Sequence, residues 1–399
     1  MSSDAVLLFA TRAVRLFAYG FVAVVLVLYL AAIGIADEKI GLLLTLTLAG
    51  DVLVSLYLTT RADALGRRRT LVGGALLMIF AAVVFAITRD FTLLVIAATL
   101  GVISPSGNEV GPFLAVEQVA LAQVAAGRDR TALLAWYNLA GSFATALGSL
   151  AGGFLSGRLL ARGLDPAESY RTTIFGYALL GVALAVMFAR LSRSVEGERH
   201  AAGFRNLFRL ERSGGIVARL SGLFALDSFA GGLVVQSIVA YWFFRRFGLS
   251  PATLGMIFFG ANIFAGFSAL AAARIARRFG LLNTMVFTHL PSNVLLILVP
   301  LMPTLPLAVT VLLLRFSISQ MDVPTRQAFV MAAVAPAERT AAAGITGVAR
   351  TTGAALAPLI AMPLIASAYG WVPFVAAGSL KIAYDLGLLR SCRSVHLEN

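Results

Sequence analysis

The 399-residue chain is poor in charge, lysine, histidine and cysteine. Only 13% of it is charged, about half the 25% of an ordinary soluble domain. The charged surface that one or two soluble domains would need is missing, which excludes a typical cytosolic enzyme. One cysteine, Cys392, allows no intrachain disulfide framework and no cysteine-based metal cluster. Three scattered histidines, His200, His289 and His396, offer no ligand set, so no metal and no cofactor are expected. The N-terminus has neither the basic n-region nor the small-residue cleavage site of a secretory signal, so its apolar run is expected to be retained as a span.

What is present in excess is apolar residues, 59% of the chain. The charge is lopsided, with 32 Lys and Arg against 19 Asp and Glu, a net +13. In a soluble protein that surplus would suggest nucleic acid. Here only Lys39 and Lys381 are lysines, and many arginines sit between apolar runs. The anionic face of a membrane is the better partner, and no nucleic acid is expected.

A bilayer-crossing helix needs about 20 mostly apolar residues. That ruler predicts twelve spans, near 5–33, 40–60, 70–88, 92–124, 132–157, 170–190, 216–244, 252–273, 281–301, 304–335, 340–368 and 371–390. The fourth and tenth are long and interrupted by polar groups. With both termini cytoplasmic, the inner loops and ends hold 19 cations and the outer loops seven, although Arg245 and Arg246 go against the bias. The expected placement is multi-pass in the cytoplasmic (inner) membrane, both termini inside.

An internal repeat is legible. Arg130-Thr131 aligns with Arg339-Thr340 at an offset that also sets Glu117-Gln118 on Arg326-Gln327 and Ser149 on Pro358. Gly66 aligns with Gly280, and Leu8-Phe9 with Leu223-Phe224, which sets Arg12 on Asp227. The predicted fold is all-α and integral to the membrane. It has two pseudo-symmetric six-helix bundles, 1–190 and 216–399, joined by a hydrophilic middle loop at 191–215. Two such halves with a site between them are a common transporter architecture.

The loop after the second span, Thr59-Thr60-Arg61-Ala62-Asp63-Ala64-Leu65-Gly66-Arg67-Arg68-Arg69, joins an acid, a turn-forming glycine and an arginine run. It resembles the loop signature of the major facilitator superfamily (MFS). Asp63, Gly66, Arg67 and Arg68 fit the pattern; Thr59 and Ala64 replace its usual glycine and basic residue. The resemblance implies a gating loop (Asp63, Gly66, Arg67, Arg68, Arg69), with Asp63 facing the N-terminus of the eleventh helix and the arginines on the inner leaflet. The alternative is a purely topogenic arginine cluster. The resemblance further implies the MFS fold, alternating access and no ATP site, and no phosphate-binding Gly-rich loop occurs.

In the fifth span, Ala144-Thr145-Ala146-Leu147-Gly148-Ser149-Leu150-Ala151-Gly152-Gly153 resembles a run of export-type members of that superfamily, with Ala144 for its first glycine and Ser149 for its proline. The eleventh span keeps the proline, as Pro358. Gly148, Gly152, Gly153 and Pro358 are read as helix-packing positions, with generic close packing as the alternative to a directional meaning.

Ionisable residues inside spans are costly and point to function. They are Arg12, Arg15, Asp51, Glu109, Glu117, Asp227, Arg315, Asp322, Arg326, Arg350, Lys381 and Asp385. Lys381 and Asp385 are expected to pair along one helix face. The repeat suggests two pairs of exchanged sign, Arg12–Glu117 and Asp227–Arg326. Either they staple each half, or substrate or a proton breaks one of them. The run Ser104-Pro105-Ser106-Gly107-Asn108-Glu109-Val110-Gly111-Pro112 predicts a break in the fourth span, tolerated only where backbone is buried in protein or lines a cavity. Glu109 and Asp51 are candidate proton sites, since desolvated carboxylates can titrate. With Glu117, Arg12, Arg15, Asp227, Asp322 and Arg326 they form the candidate coupling and substrate set.

The sequence thus reads as a non-enzymatic secondary transporter with no catalytic residues, moving a small organic solute by proton-coupled efflux, as a monomer surrounded by lipid. The alternative cargo is an organic anion or phosphorylated metabolite, complexed by Arg12, Arg15, Arg315, Arg326 or Arg350.

Overall fold

In a computed structural model the described residues are 3–124, 130–196, 210 and 212–392. Among them every long element is a helix. In chain order these are α1 (Ser3–Ala23), α2 (Leu26–Ala32), α3 (Asp37–Leu65), α4 (Arg67–Ile87), α5 (Phe91–Leu100), α6 (Phe113–Val124), α7 (Arg130–Ala161) and α8 (Pro166–Ala189). There follow α9 (Gly214–Gly232), α10 (Gln236–Phe247), α11 (Pro251–Phe279), α12 (Leu281–Leu298), α13 (Leu305–Ser319), α14 (Asp322–Ala333), α15 (Arg339–Ala366) and α16 (Val372–Cys392). Only helices satisfy their backbone polar groups within one apolar segment, which is what hydrocarbon demands.

Eleven of the twelve expected spans are helices long and apolar enough to cross a membrane. The exception is the fourth, where the proline- and glycine-rich run opens residues 101–112 between α5 and α6. Helix starts follow local chemistry: Asp90 accepts from the Leu93 N–H (2.9 Å), and Asp165, with Pro166 in the first turn, accepts from Ala167 (3.0 Å).

By backbone proximity the chain forms two compact units, Met1–Ala202 with Val235–Phe259, and Gly203–Val234 with Gly260–Asn399. In the first unit α1 packs along α7. A methyl group on Gly148 or Gly152 would run into the carbonyls of Phe17 or Phe21, so small residues set that approach, while Gly153 faces the Pro251 carbonyl and Gly255. The first unit also takes in α10: Tyr241 donates to Asp37 (2.9 Å), the Ser237 N–H to the Pro105 carbonyl (3.0 Å) and Gln236 to Ser149 (3.1 Å). In the second unit α9 packs along α15, where Gly353 meets the Ala225 carbonyl and the buried Pro358 lies on the same helix.

The repeat is visible in matching turns. Gly66 (φ +97°) precedes α4 and Gly280 (φ +84°) precedes α12, a region open to glycine. Thr70 donates through its hydroxyl to the Gly66 carbonyl (3.0 Å), and Thr284 does the same to Gly280 (2.7 Å).

Candidate functional site

The break in the fourth span is held by side chains rather than by a helix ladder. Tyr19 donates to the Val110 carbonyl (3.0 Å), Tyr177 to Val102 (2.8 Å) and Ser104 to Asn108 (2.7 Å). Asp51 accepts from the Gly111 N–H and from Ser55 (3.2 Å), so this carboxylate braces the unwound backbone.

Glu109 sits on that unwound stretch and reaches both arginines of α1. It pairs with Arg12, and Arg15 Nη2 lies 3.2 Å from the same oxygen. Glu117, fully buried on α6, accepts from Arg15 (2.7 Å), from Thr11 (2.9 Å) and from the Tyr137 hydroxyl. The expected Arg12–Glu117 pair is therefore corrected. Arg12 donates instead to the Tyr137 carbonyl (2.9 Å) and to Asn138 (3.2 Å), over the Tyr137 ring. The physical reason is the break: released from a helical path, Glu109 meets Arg12, and Glu117 falls to the next arginine along α1. Two buried cations thus face the buried Glu117 and the partly buried Glu109, while the atoms Arg15 Nε and Nη1 and Glu109 Oε2 are shielded without a hydrogen-bond partner.

The second unit builds a different cluster. Asp227 on α9 accepts from Arg326 (3.0 Å) and from Lys381 (2.6 Å). Asp322, at the start of α14, pairs with Arg326 one turn on (3.1 Å). The expected Lys381–Asp385 pair is also corrected: Asp385 takes His289 Nδ1 (2.9 Å) and Asn293 (2.9 Å) from α12. Both residues face the bundle core, where partners from other helices displace a pairing along α16. The tenth span is interrupted as well, over the two residues Gln320 and Met321 between α13 and α14.

In the gating loop, Gly66 makes the turn and Glu196 caps α4, accepting from the Arg67 N–H (2.7 Å) and the Arg68 N–H (3.2 Å). The Arg67 side chain is buried against Gln123 (2.6 Å) and the Val195 carbonyl (3.2 Å), which corrects its expected place on the lipid leaflet; Arg68 and Arg69 are exposed. The Asp63 side chain lies outside the described residues, as do both chain termini and most of the middle loop. Glu196, Tyr137, Asn138 and His289 escaped the reading of the sequence. Only Glu196 carried a signal there, as an acid just beyond the end of a span.

Membrane-length helices, several of them interrupted, with ionisable groups buried at mid-span, are the build of a polytopic solute carrier. The chain belongs to the Major Facilitator Superfamily, which matches residues 8–358. It is 31% identical over 416 residues to an uncharacterized membrane protein of Saccharomyces cerevisiae, covering 96% of this chain and 93% of that one. Its fold is similar to those of the nucleoside transporter NupG (TM-score 0.75, 14% identity, 98% and 99% of the two chains) and a D-xylose–proton symporter (0.74, 15%, 96% and 96%). The human organic anion transporter MFSD10 shares it too (0.63, 17%, 97% and 100%). The protein is thus a multi-pass membrane transporter of small solutes.

Proposed function

We propose that the protein is a proton-coupled exporter of a small organic solute in the cytoplasmic membrane, with both termini inside. It works as a monomer, by rocking of the halves 1–190 and 216–399 across the loop 191–215, with Asp63–Arg69 as its gating loop. One observation carries the coupling: Glu109 lies on unwound backbone, bridges Arg12 and Arg15, and keeps one buried carboxylate oxygen without a partner. A proton arriving there removes half of the counter-charge of two buried arginines. Breaking a buried pair costs about 3–5 kcal/mol, enough to move a two-state equilibrium across most of its range. Asp51, which braces the same stretch, is the second proton candidate. A fold shared with a D-xylose–proton symporter is compatible with coupling. Export is supported by the resemblance of the 144–153 run to that of export-type members.

The test is flux in proteoliposomes, with and without a pH gradient, across cationic, neutral and anionic solutes. Glu109→Gln should abolish gradient-driven accumulation while leaving solute exchange at equal pH. If Glu109→Gln and Asp51→Asn both leave gradient-driven flux intact, the coupling assignment is wrong.

A further inference from the structure

The spans of the second unit carry more positive charge than their own carboxylates neutralise. Away from the span ends, the unit carries Arg315, Arg326, Arg350 and Lys381 against Asp227, Asp322 and Asp385. All three carboxylates are engaged elsewhere: Asp227 by Arg326 and Lys381, Asp322 by Arg326, Asp385 by His289 and Asn293. Arg315 and Arg350 have no carboxylate within 4.0 Å among the described residues. Arg315 Nε is buried without a hydrogen-bond partner, and Arg350 reaches only the Ser228 hydroxyl, at 3.3 Å. Ser228 follows Asp227 on α9, and Arg315 precedes Asp322 by seven residues in the same span, so the two guanidiniums approach one cluster from α13 and α15.

Depth excludes the simplest counter-ion. Arg350 lies eleven residues into α15, about 16 Å along the axis, near the middle of a hydrocarbon core about 30 Å thick. Lipid headgroups are beyond a guanidinium's reach from there. A charge at that depth needs a partner, and a guanidinium fork fits the two oxygens of a carboxylate or phosphate.

We propose that Arg315 and Arg350, with Ser228, form a binding site for a small organic anion carrying one carboxylate or phosphate group. The inference rests on the transporter reading above only in making that anion the cargo. It narrows five candidate arginines to two, because Arg12 and Arg15 face Glu109 and Glu117, and Arg326 holds Asp227 and Asp322.

Binding is read without flux, from the unfolding midpoint of the purified full chain in detergent with benzoate, phenyl phosphate or neutral benzamide. Saturating benzoate or phenyl phosphate should raise the midpoint by several degrees, and benzamide should not. The better of the two anions identifies the headgroup. Arg315→Gln and Arg350→Gln should each abolish the response. Exposed Arg158→Gln should retain it, and Arg350→Lys should weaken binding at least tenfold by keeping the charge without the fork. Without ligand, Arg315→Met should unfold no earlier than the parent, since it deletes an uncompensated charge; an earlier transition counts against the site. Equal stabilisation by benzamide, or an undiminished anion response in both glutamine variants, overturns the proposal. Anion binding without gradient-driven flux sinks the coupling reading alone. Gradient-driven flux of an uncharged solute with no anion response sinks this site alone.

Discussion

The two units handle buried charge differently. In the first, Arg12 and Arg15 face Glu109 and Glu117, and the network closes on itself through Tyr137, Thr11 and Asn138. In the second, Asp227 and Asp322 serve Arg326 and Lys381, Asp385 turns to His289, and two arginines are left over. The sequence repeat exchanges signs, Arg12 for Asp227 and Glu117 for Arg326, yet the outcomes are not mirror images. A balanced cluster can respond to a proton by losing its balance. An unbalanced one asks for a ligand of opposite sign. In the reading proposed above, the two units divide coupling and cargo binding between them.

The largest expected effect tests that contrast directly. Glu117→Gln should destabilise the protein by about 3–5 kcal/mol, because it takes from the fully buried Arg15 the closer and only fully buried of its two carboxylates. Asp227→Asn should cost a similar amount by stranding Lys381 and leaving Arg326 with Asp322 alone. Chemical unfolding in detergent measures both. A double exchange, Arg15→Glu with Glu117→Arg, should recover part of the single losses, whereas Arg12→Glu with Glu117→Arg should recover none. A loss below about 1 kcal/mol at either single site would place that charge in water and end the comparison.

The next effect is common to both units. Gly148→Ala sets a methyl group on the Phe17 carbonyl, and Gly353→Ala sets one on Ala225. Each should cost about 1–3 kcal/mol of overpacking, and the two losses should agree if α1–α7 and α9–α15 are equivalent contacts. The same unfolding assay reads them.

The smallest effect separates the matching turns. Gly66→Ala and Gly280→Ala both put a side chain at positive φ, a cost of about 1–2 kcal/mol. Gly280 has open space around it, whereas a methyl group on Gly66 meets Glu196 Oε1 at 3.3 Å. Gly66→Ala should therefore be the worse of the two. Equal losses would remove Glu196 as a close neighbour of that turn.

Much of the architecture was legible in the chain. Apolar runs marked the spans, Gly66 and Gly280 the matching turns, and Ser104–Pro112 the break that carries Glu109. The Asp227–Arg326 contact followed from the repeat and is seen at 3.0 Å. The partners of Arg12, Arg15, Lys381 and Asp385 did not follow, because each is supplied by a segment distant in the chain. His289 looked like an isolated histidine until α16 brought Asp385 against it.

The scarcity of charge by itself determines that this chain lives in hydrocarbon and that its few mid-span ions matter. Hydropathy, turn residues and repeats are properties of neighbouring residues, so sequence alone carries them. Which cation meets which carboxylate depends on how far packed helices are rotated and shifted along their axes, and a one-turn difference redirects Glu117 from Arg12 to Arg15. Only the tertiary structure decides that, and with it which arginines, Arg315 and Arg350, have no carboxylate within 4.0 Å among the described residues.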